Sequence, residues 1–376
     1  MRARIAAAAL VPALLAGCSG GSPAPSSSAA TSTSPTTSTA PTPTSGTPTV
    51  PPGTGTATGT NSYVALGDSY AAGVGSGGST GVCYRSARGW APLVAERYGL
   101  ALSYQACSGA TTATTSEQQL GTLGAGTSRV SITIGGNDVG FALVLFTCAS
   151  PSWLSDCTGA IGAGRSILRT RLPGRLRALF SQVRGRAPHA QVTVVGYPHV
   201  LGTRDCDALT FFSAQDRSGL DAGTDELDAL LRTTAASYGF SFVDPRARFS
   251  GHAPCSSAPW INGLSLPIGD SFHPDRSGQQ AYAGLVGPVL DAASGASAPR
   301  VTTAAATPDP RAAARAVLSM QLDQPENLRQ AQAAGVSTTL IKRYVQDLRS
   351  SDTATISAGL AGLRSLDQSR ADRVSR

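Results

Sequence analysis

Ser62-Tyr63-Val64-Ala65-Leu66-Gly67-Asp68-Ser69-Tyr70-Ala71-Ala72-Gly73 is the stretch that decides the fold. Ser62 to Gly67 is a short apolar run that reads as a strand, and Ser69 stands just past its end, entering a helix. Four more runs of this kind follow: Ala101 to Cys107, Arg129 to Gly135, Gln191 to Gly196 and Phe240 to Val243. Helix-like spans lie among them, Ala87 to Tyr98, Gly162 to Arg184 and Ala214 to Tyr238, and Pro274 to Leu290 comes last. Strands alternating with helices imply a five-stranded parallel sheet covered on both faces, an α/β three-layer sandwich. In such open sheets the ligand crevice lies beyond the carboxyl ends of the strands.

The strand ends carry the polar residues worth weighing. A serine in the position of Ser69 has its hydroxyl in the crevice with backbone N–H groups beside it, although taken alone it reads more readily as a helix cap. The second strand runs into Ala106-Cys107-Ser108-Gly109-Ala110-Thr111-Thr112, where Gly109 allows close approach of backbone to a ligand. The third runs into Gly135-Gly136-Asn137-Asp138, where Asn137 offers a side-chain N–H donor. Asp270-Ser271-Phe272-His273-Pro274 stands before the last helix. The chain has only four histidines, and a general base near neutral pH is most often one of them. His189 and His252 read as loop residues and His199 borders the crevice after the fourth strand, which leaves His273 as the strongest candidate.

Gly-Asp-Ser-Tyr, the glycine after strand two, Gly-Gly-Asn-Asp and Asp-x-x-His-Pro, in that order and read as four separate strand ends, resemble the SGNH (GDSL) hydrolase family. The likeness covers roughly residues 62–293, and Ala-Cys-Ser-Gly-Ala-Thr-Thr is similar to its secreted actinobacterial lipase and esterase branch. The resemblance implies a flavodoxin-like SGNH hydrolase fold and a serine ester hydrolase. Ser69 would be the nucleophile, His273 its base, and the N–H groups of Ser69 and Gly109 with the Asn137 side chain the oxyanion hole. Asp270 would hold the histidine ring, or a backbone carbonyl near the histidine would do so instead, making Asp270 the more dispensable residue. A lipase, phospholipase or carboxylesterase is the expected class, with deacetylation of wall polysaccharide as the enzymatic alternative and a non-catalytic surface-binding lipoprotein as the other. With no P-loop, dinucleotide fingerprint or metal-ligand cluster, no cofactor or metal is implied.

Arg2 and Arg4 before the apolar stretch Ile5 to Leu15 have the layout of a secretory signal, ending Leu15-Ala16-Gly17-Cys18. That ending resembles a bacterial lipobox, which implies cleavage after residue 17, acylation of Cys18 and a membrane anchor at the outer face. Residues 18–61 are rich in Ser, Thr, Pro, Ala and Gly and carry no charge, too polar to offset chain entropy by burial, and are expected to form a disordered tether. Its reach lies between about 35 Å as a coil and about 130 Å fully extended. The six remaining cysteines, Cys83, Cys107, Cys148, Cys157, Cys206 and Cys255, include no close C-x-x-C pair, so disulfides are favoured over zinc. Six cysteines allow fifteen connectivities; the branch resemblance implies sequential pairing, 83–107, 148–157 and 206–255. The inserts those pairs enclose are expected to frame an acyl pocket, with Phe211, Phe212 and Trp260 as candidate walls.

The net charge of +7 says little about the core, since Arg2 and Arg4 belong to the signal and residues 294–376 hold eleven basic against seven acidic residues. No apolar run reaches the ~18 residues of a membrane span, and no long basic run suggests nucleic acid. In the tail, Val336, Leu340, Ile341, Tyr344, Val345 and Leu348 share one helical face, and Ile356, Leu360, Leu363 and Leu366 another. Residues 294–376 are therefore expected to form a linker and a helical extension. Lys342, Arg343 and Arg349 on its polar side suit contact with anionic lipid or wall polymer. A monomer acting on an ester or lipid substrate is expected.

Overall fold

The computed structural model describes residues 59–203, 205, 210–291 and 310–374. The leader, Cys18, most of the tether and Cys206 lie outside them. Five strands, β1 (Ser62–Gly67), β2 (Ala101–Tyr104), β3 (Arg129–Thr133), β4 (Gln191–Val195) and β5 (Ser241–Val243), form one sheet in the order β2-β1-β3-β4-β5. Every pair is parallel. β1 and β3 are buried along their whole length because helices cover both faces, which is why they read as unbroken runs rather than alternating ones. The α/β sandwich with a five-stranded parallel sheet and C-terminal helices is thus as expected.

β1 lies between β2 and β3, with Leu66 opposite Ile132 and Gly67 opposite Thr133. The chain leaves β1 in one direction toward β2 and from there crosses to β3 on the other side, so the switch point of the sheet falls at the end of β1. Gly67 is required there. Its φ is +126°, and a Cβ on it would stand 2.2 Å from the Thr133 carbonyl oxygen. The short helix α1 (Ser69–Ala72) begins at once, with Asp68 as its N-cap.

The remaining helices of this layer are α2 (Trp90–Tyr98), α3 (Thr112–Gln118), α4 (Phe141–Ala149), α5 (Cys157–Thr170), α6 (Leu172–Arg186), α7 (Ala214–Ser237), α8 (Arg246–Phe249) and α9 (Arg276–Leu290). The span expected as one helix from 162 to 184 is two, broken at Arg171. Pro173 lies in the first turn of α6, where its missing N–H costs nothing, whereas inside a continuous helix it would clash with the turn before it. Cys83–Cys107 and Cys148–Cys157 are paired as expected, and Cys255 is also disulfide-bonded.

The tail forms α10 (Pro310–Ser319), α11 (Pro325–Ala333), α12 (Thr338–Asp347) and α13 (Thr353–Val374). Both stripes read from the sequence are turned inward: Ile341, Val345, Leu348, Ile356, Leu360 and Leu363 are buried in a second core. That core also takes in Trp153 and Phe211 from the catalytic layer, their rings meeting edge to face at 6.3 Å. Ser152 donates its N–H and its hydroxyl to Asp367 at 2.8 and 2.6 Å, and Arg370 donates to the Ser152 oxygen. Of the three basic residues on the polar side, Arg349 is paired with Asp323.

Asp367→Ala leaves the Ser152 N–H and hydroxyl without their acceptor in a buried place, a loss of about 1–3 kcal/mol. A lower thermal midpoint is expected by calorimetry. An unchanged midpoint would mean that the extension is not held at this point.

Candidate active site

Four segments converge beyond the carboxyl ends of β1, β2 and β3. Ser69 opens α1, and its position is set by Asp68, whose Oδ1 accepts the Tyr70 N–H at 3.0 Å. The other oxygen of Asp68 accepts the Tyr197 hydroxyl, which in turn accepts the Gly136 N–H at 3.2 Å. Tyr197 is itself fixed by its N–H to the buried Asp228 at 3.0 Å. One carboxylate therefore joins the segment after β1 to the segment after β3. Its burial pushes the Asp68 carboxyl up to about 7, against the pull of the donors on it.

The segments after β2 and β3 are tied together as well. Asp138 accepts both the N–H and the hydroxyl of Thr112, at 2.8 and 2.6 Å. Asn137 donates one Nδ2–H to the Ala110 carbonyl at 3.0 Å, leaving its second N–H for a ligand. Gly109 adopts φ +81°, which a side chain would strain, and space around its Cα is open. The Cys83–Cys107 disulfide pins this loop from behind, where Ser108 donates to the Cys83 carbonyl at 3.0 Å. Among the described residues no hydrogen bond is taken from the backbone N–H of Ser69 or of Gly109.

His273 reaches the serine from the loop before α9. Its Nε2 lies 2.6 Å from Ser69 Oγ and its Nδ1 2.9 Å from the Ser271 carbonyl oxygen. A carbonyl can only accept, so Nδ1 carries the proton and Nε2 is free to accept from the serine hydroxyl. Burial pushes the imidazole down to about 4, which keeps it neutral, with Nε2 open to a proton, at ordinary pH. Tyr70, next to the serine, donates to the Phe272 carbonyl at 2.7 Å, and Asn262 donates to the carbonyls of Gly75 and His273. Phe272 stands at φ +59°, a conformation costly for a bulky residue, held by its buried ring against Phe212.

The expected ring-holding role of Asp270 is corrected by this geometry: its side chain makes no hydrogen bond to His273, and the atom beyond Nδ1 is the Ser271 carbonyl. His199 is held by Asp225 at 2.9 Å, on α7, and does not join the site. His252 stacks on Trp260 with centroids 3.4 Å apart. The expected pocket walls are likewise redistributed. Phe211 is buried against the tail, Trp260 packs on Phe249 and His252, and Phe212 lines a small hollow of about 270 Å³ with Leu201 and Pro254. A larger apolar cleft of about 510 Å³ lies between α4, α5 and α7, bordered by Gly136 and Tyr197 and walled by Val139, Phe141, Val144, Leu168, Leu220 and Leu227. Tyr197, Gln119 and Asn262 escaped the sequence reading. Gln119 holds both the N–H and the carbonyl of Gly67, at 2.7 and 2.9 Å.

An alcohol on a neutral imidazole, on joined segments that also carry two unused backbone donors and an amide, can attack a carbonyl, and such donors can hold the resulting oxyanion. The family described as GDSL-like Lipase/Acylhydrolase matches residues 65–281. A lipase of Streptomyces rimosus is 40% identical over 221 residues, 58% of this chain and 82% of that protein. Lipase 1 of Streptomyces coelicolor is 41% identical over 226 residues, with the same coverage. Among solved structures, the extracellular lipase of Streptomyces rimosus matches with TM-score 0.56 and 38% identity over 62% of this chain and 99% of that one. Phospholipase A1 of Streptomyces albidoflavus NA297 matches with TM-score 0.58 and 37% identity over the same shares. The family match leaves α10 to α13 outside it.

Two outcomes are expected from turnover of a soluble ester. Asp270→Ala loses less than about tenfold, whereas Ser69→Ala and His273→Ala each lose about 10⁴-fold or more; equal losses would restore the aspartate to the ring. In a pH profile, protonation of a base pushed down to about 4 sets the acid limb there, because the neutral ring is the active form at every higher pH. A limb near pH 7 would instead point to Asp68.

Proposed function

The chain belongs to the GDSL-like lipase/acylhydrolase family and is a carboxylic ester hydrolase of the lipase and phospholipase type, and from that premise we propose that it is a lipid-anchored serine hydrolase acting through an acyl-enzyme on Ser69. The observation that carries this reading is the 2.6 Å approach of His273 Nε2 to Ser69 Oγ. As Oγ attacks the ester carbon, its proton moves to Nε2. The carbonyl oxygen, now negative, is held by the N–H groups of Ser69 and Gly109 and by the Asn137 amide, each such donor lowering the barrier by about 3 kcal/mol. Collapse breaks the bond to the leaving oxygen, which takes the proton from His273 and departs as the alcohol. Water then gives a proton to Nε2 and attacks the acyl group, and release of the acid returns that proton to Ser69. The Ser271 carbonyl, rather than Asp270, orients the ring throughout.

The apolar cleft beside Gly136 supports an acyl chain of several carbons as the group transferred, since hydrocarbon walls gain by being covered. Acetyl groups of wall polysaccharide would leave it empty, and a purely binding role would leave the serine–histidine pair unused. Residues 1–17 are the signal, Cys18 carries the lipid, 18–61 tether the hydrolase domain of 62–293, and 294–376 form its helical extension. The paired cysteines support an oxidising compartment outside the cell.

Turnover of p-nitrophenyl esters and of phosphatidylcholine tests the substrate class. Longer acyl esters are expected to exceed the acetate by about tenfold or more in kcat/KM, and Val144→Trp to remove most of that advantage while sparing the acetate. A strict acetyl preference would overturn the lipase reading. Release of Cys18→Ser into the medium is the matching outcome for the anchor, and its retention at the membrane would reject it.

A further inference from the structure

Six large apolar side chains are exposed among the described residues: Val82, Tyr84, Leu143, Phe146, Leu266 and Ile268. They are not scattered. Val82 and Tyr84 flank Cys83, whose carbonyl holds Ser108 beside Gly109. Leu143 and Phe146 lie on α4, which begins just after Asn137, and Leu266 and Ile268 precede His273. Each pair therefore stands on the segment adjoining one part of the catalytic arrangement. Isolated exposed apolar residues need no explanation, but a set confined to the borders of one site does.

We propose that these three segments form an apolar rim by which the enzyme seats its site on an uncharged lipid surface. The occupant is identified by charge. Residues 79–84, 140–155 and 253–269 contain no Asp, Glu, Lys or Arg, in a chain of which 14% is charged. A rim without charge has nothing to offer an anionic surface or a polar protein, and loses little when headgroups of zero net charge close over it. The rim is also continuous with the acyl cleft: Phe141 and Val144 line the cleft from α4, while Leu143 and Phe146 of the same helix face solvent. A chain leaving the lipid at the outer face of α4 would have a short apolar path to the inner one.

The rim is held ready rather than formed on contact. The tip from Thr80 to Arg85 is closed by hydrogen bonds between those two residues and fixed through Cys83–Cys107, with Tyr84 at φ +50°. The α4 segment is stapled by Cys148–Cys157, and its continuation inserts Trp153 into the core of the C-terminal helices. Leu264, within the third segment, packs against that same core. Little conformational entropy is left to lose on contact.

This inference rests on the lipase-type reading, and its test is kept separate from turnover. The full mature chain carrying Ser69→Ala to prevent hydrolysis and Cys18→Ser to remove the anchor is sedimented with phosphatidylcholine vesicles at low and high salt. Binding is expected to be insensitive to salt and to weaken about tenfold for each of Val82→Ser, Leu143→Ser and Leu266→Ser. The same three changes on the active enzyme are expected to leave p-nitrophenyl acetate turnover unaltered, which shows the fold intact. Vesicle binding unaffected by all three, or lost with salt or in Lys342→Gln/Arg343→Gln, would overturn the rim. An enzyme that binds vesicles through the rim yet turns over no long-chain ester would leave the rim standing and remove the acyl-cleft reading instead.

Discussion

The position of the site depends on one buried carboxylate. Asp68 caps α1 through Tyr70, which fixes Ser69, and its second oxygen takes the Tyr197 hydroxyl that holds Gly136. A carboxylate without solvent is costly unless its oxygens are satisfied, so the arrangement is stable only when the ends of β1, β3 and β4 stand in one relation to each other. Asp138 repeats the device one step along, binding the start of α3 and so locating Gly109 and Asn137 together. In the proposed reaction the donors for a developing negative charge would thus stand in place before any substrate arrives, the condition for them to lower a barrier rather than be reorganised by it.

The histidine is placed by different means. It belongs to a loop, and no strand end directs it. Tyr70, Asn262 and the strained backbone of Phe272 fix its position, and the Ser271 carbonyl fixes its tautomer. A carbonyl holds a ring without adding a charge, and burial then keeps the imidazole neutral. An aspartate at the same place would raise the basicity of the ring; here the ring is oriented and left uncharged.

The C-terminal helices turn a catalytic layer into a braced one. They draw Trp153 and Phe211 into a core of their own and bond Ser152 through Asp367, so segments bordering the site are anchored at a distance from it. The family match, residues 65–281, ends before these helices. In this chain the extension supports a segment that is also held by Cys148–Cys157.

Much was legible along the chain because the local signal and the tertiary outcome share a cause. The strands were visible as apolar runs since burial on both faces demands them, and Ser69, Gly109 and Asn137 could be read from their places just past strand ends. α10 and α11 escaped the reading because their buried faces are built largely from alanine, Ala313 and Ala314 in the one and Ala331 in the other, which marks an apolar face weakly along the chain. Tyr197 and Gln119 could not be found either, since nothing beside them in sequence signals the distant backbone they bond. Sequence alone determined the sheet, the serine and the histidine, because strand periodicity and residue chemistry are local properties. Only the tertiary structure decided that Ser271 rather than Asp270 faces the ring, that an apolar cleft lies between α4, α5 and α7, and that the tail buries its stripes. Those are matters of which surfaces meet, and contact between residues far apart in the chain is set by packing and direction, which no local pattern encodes.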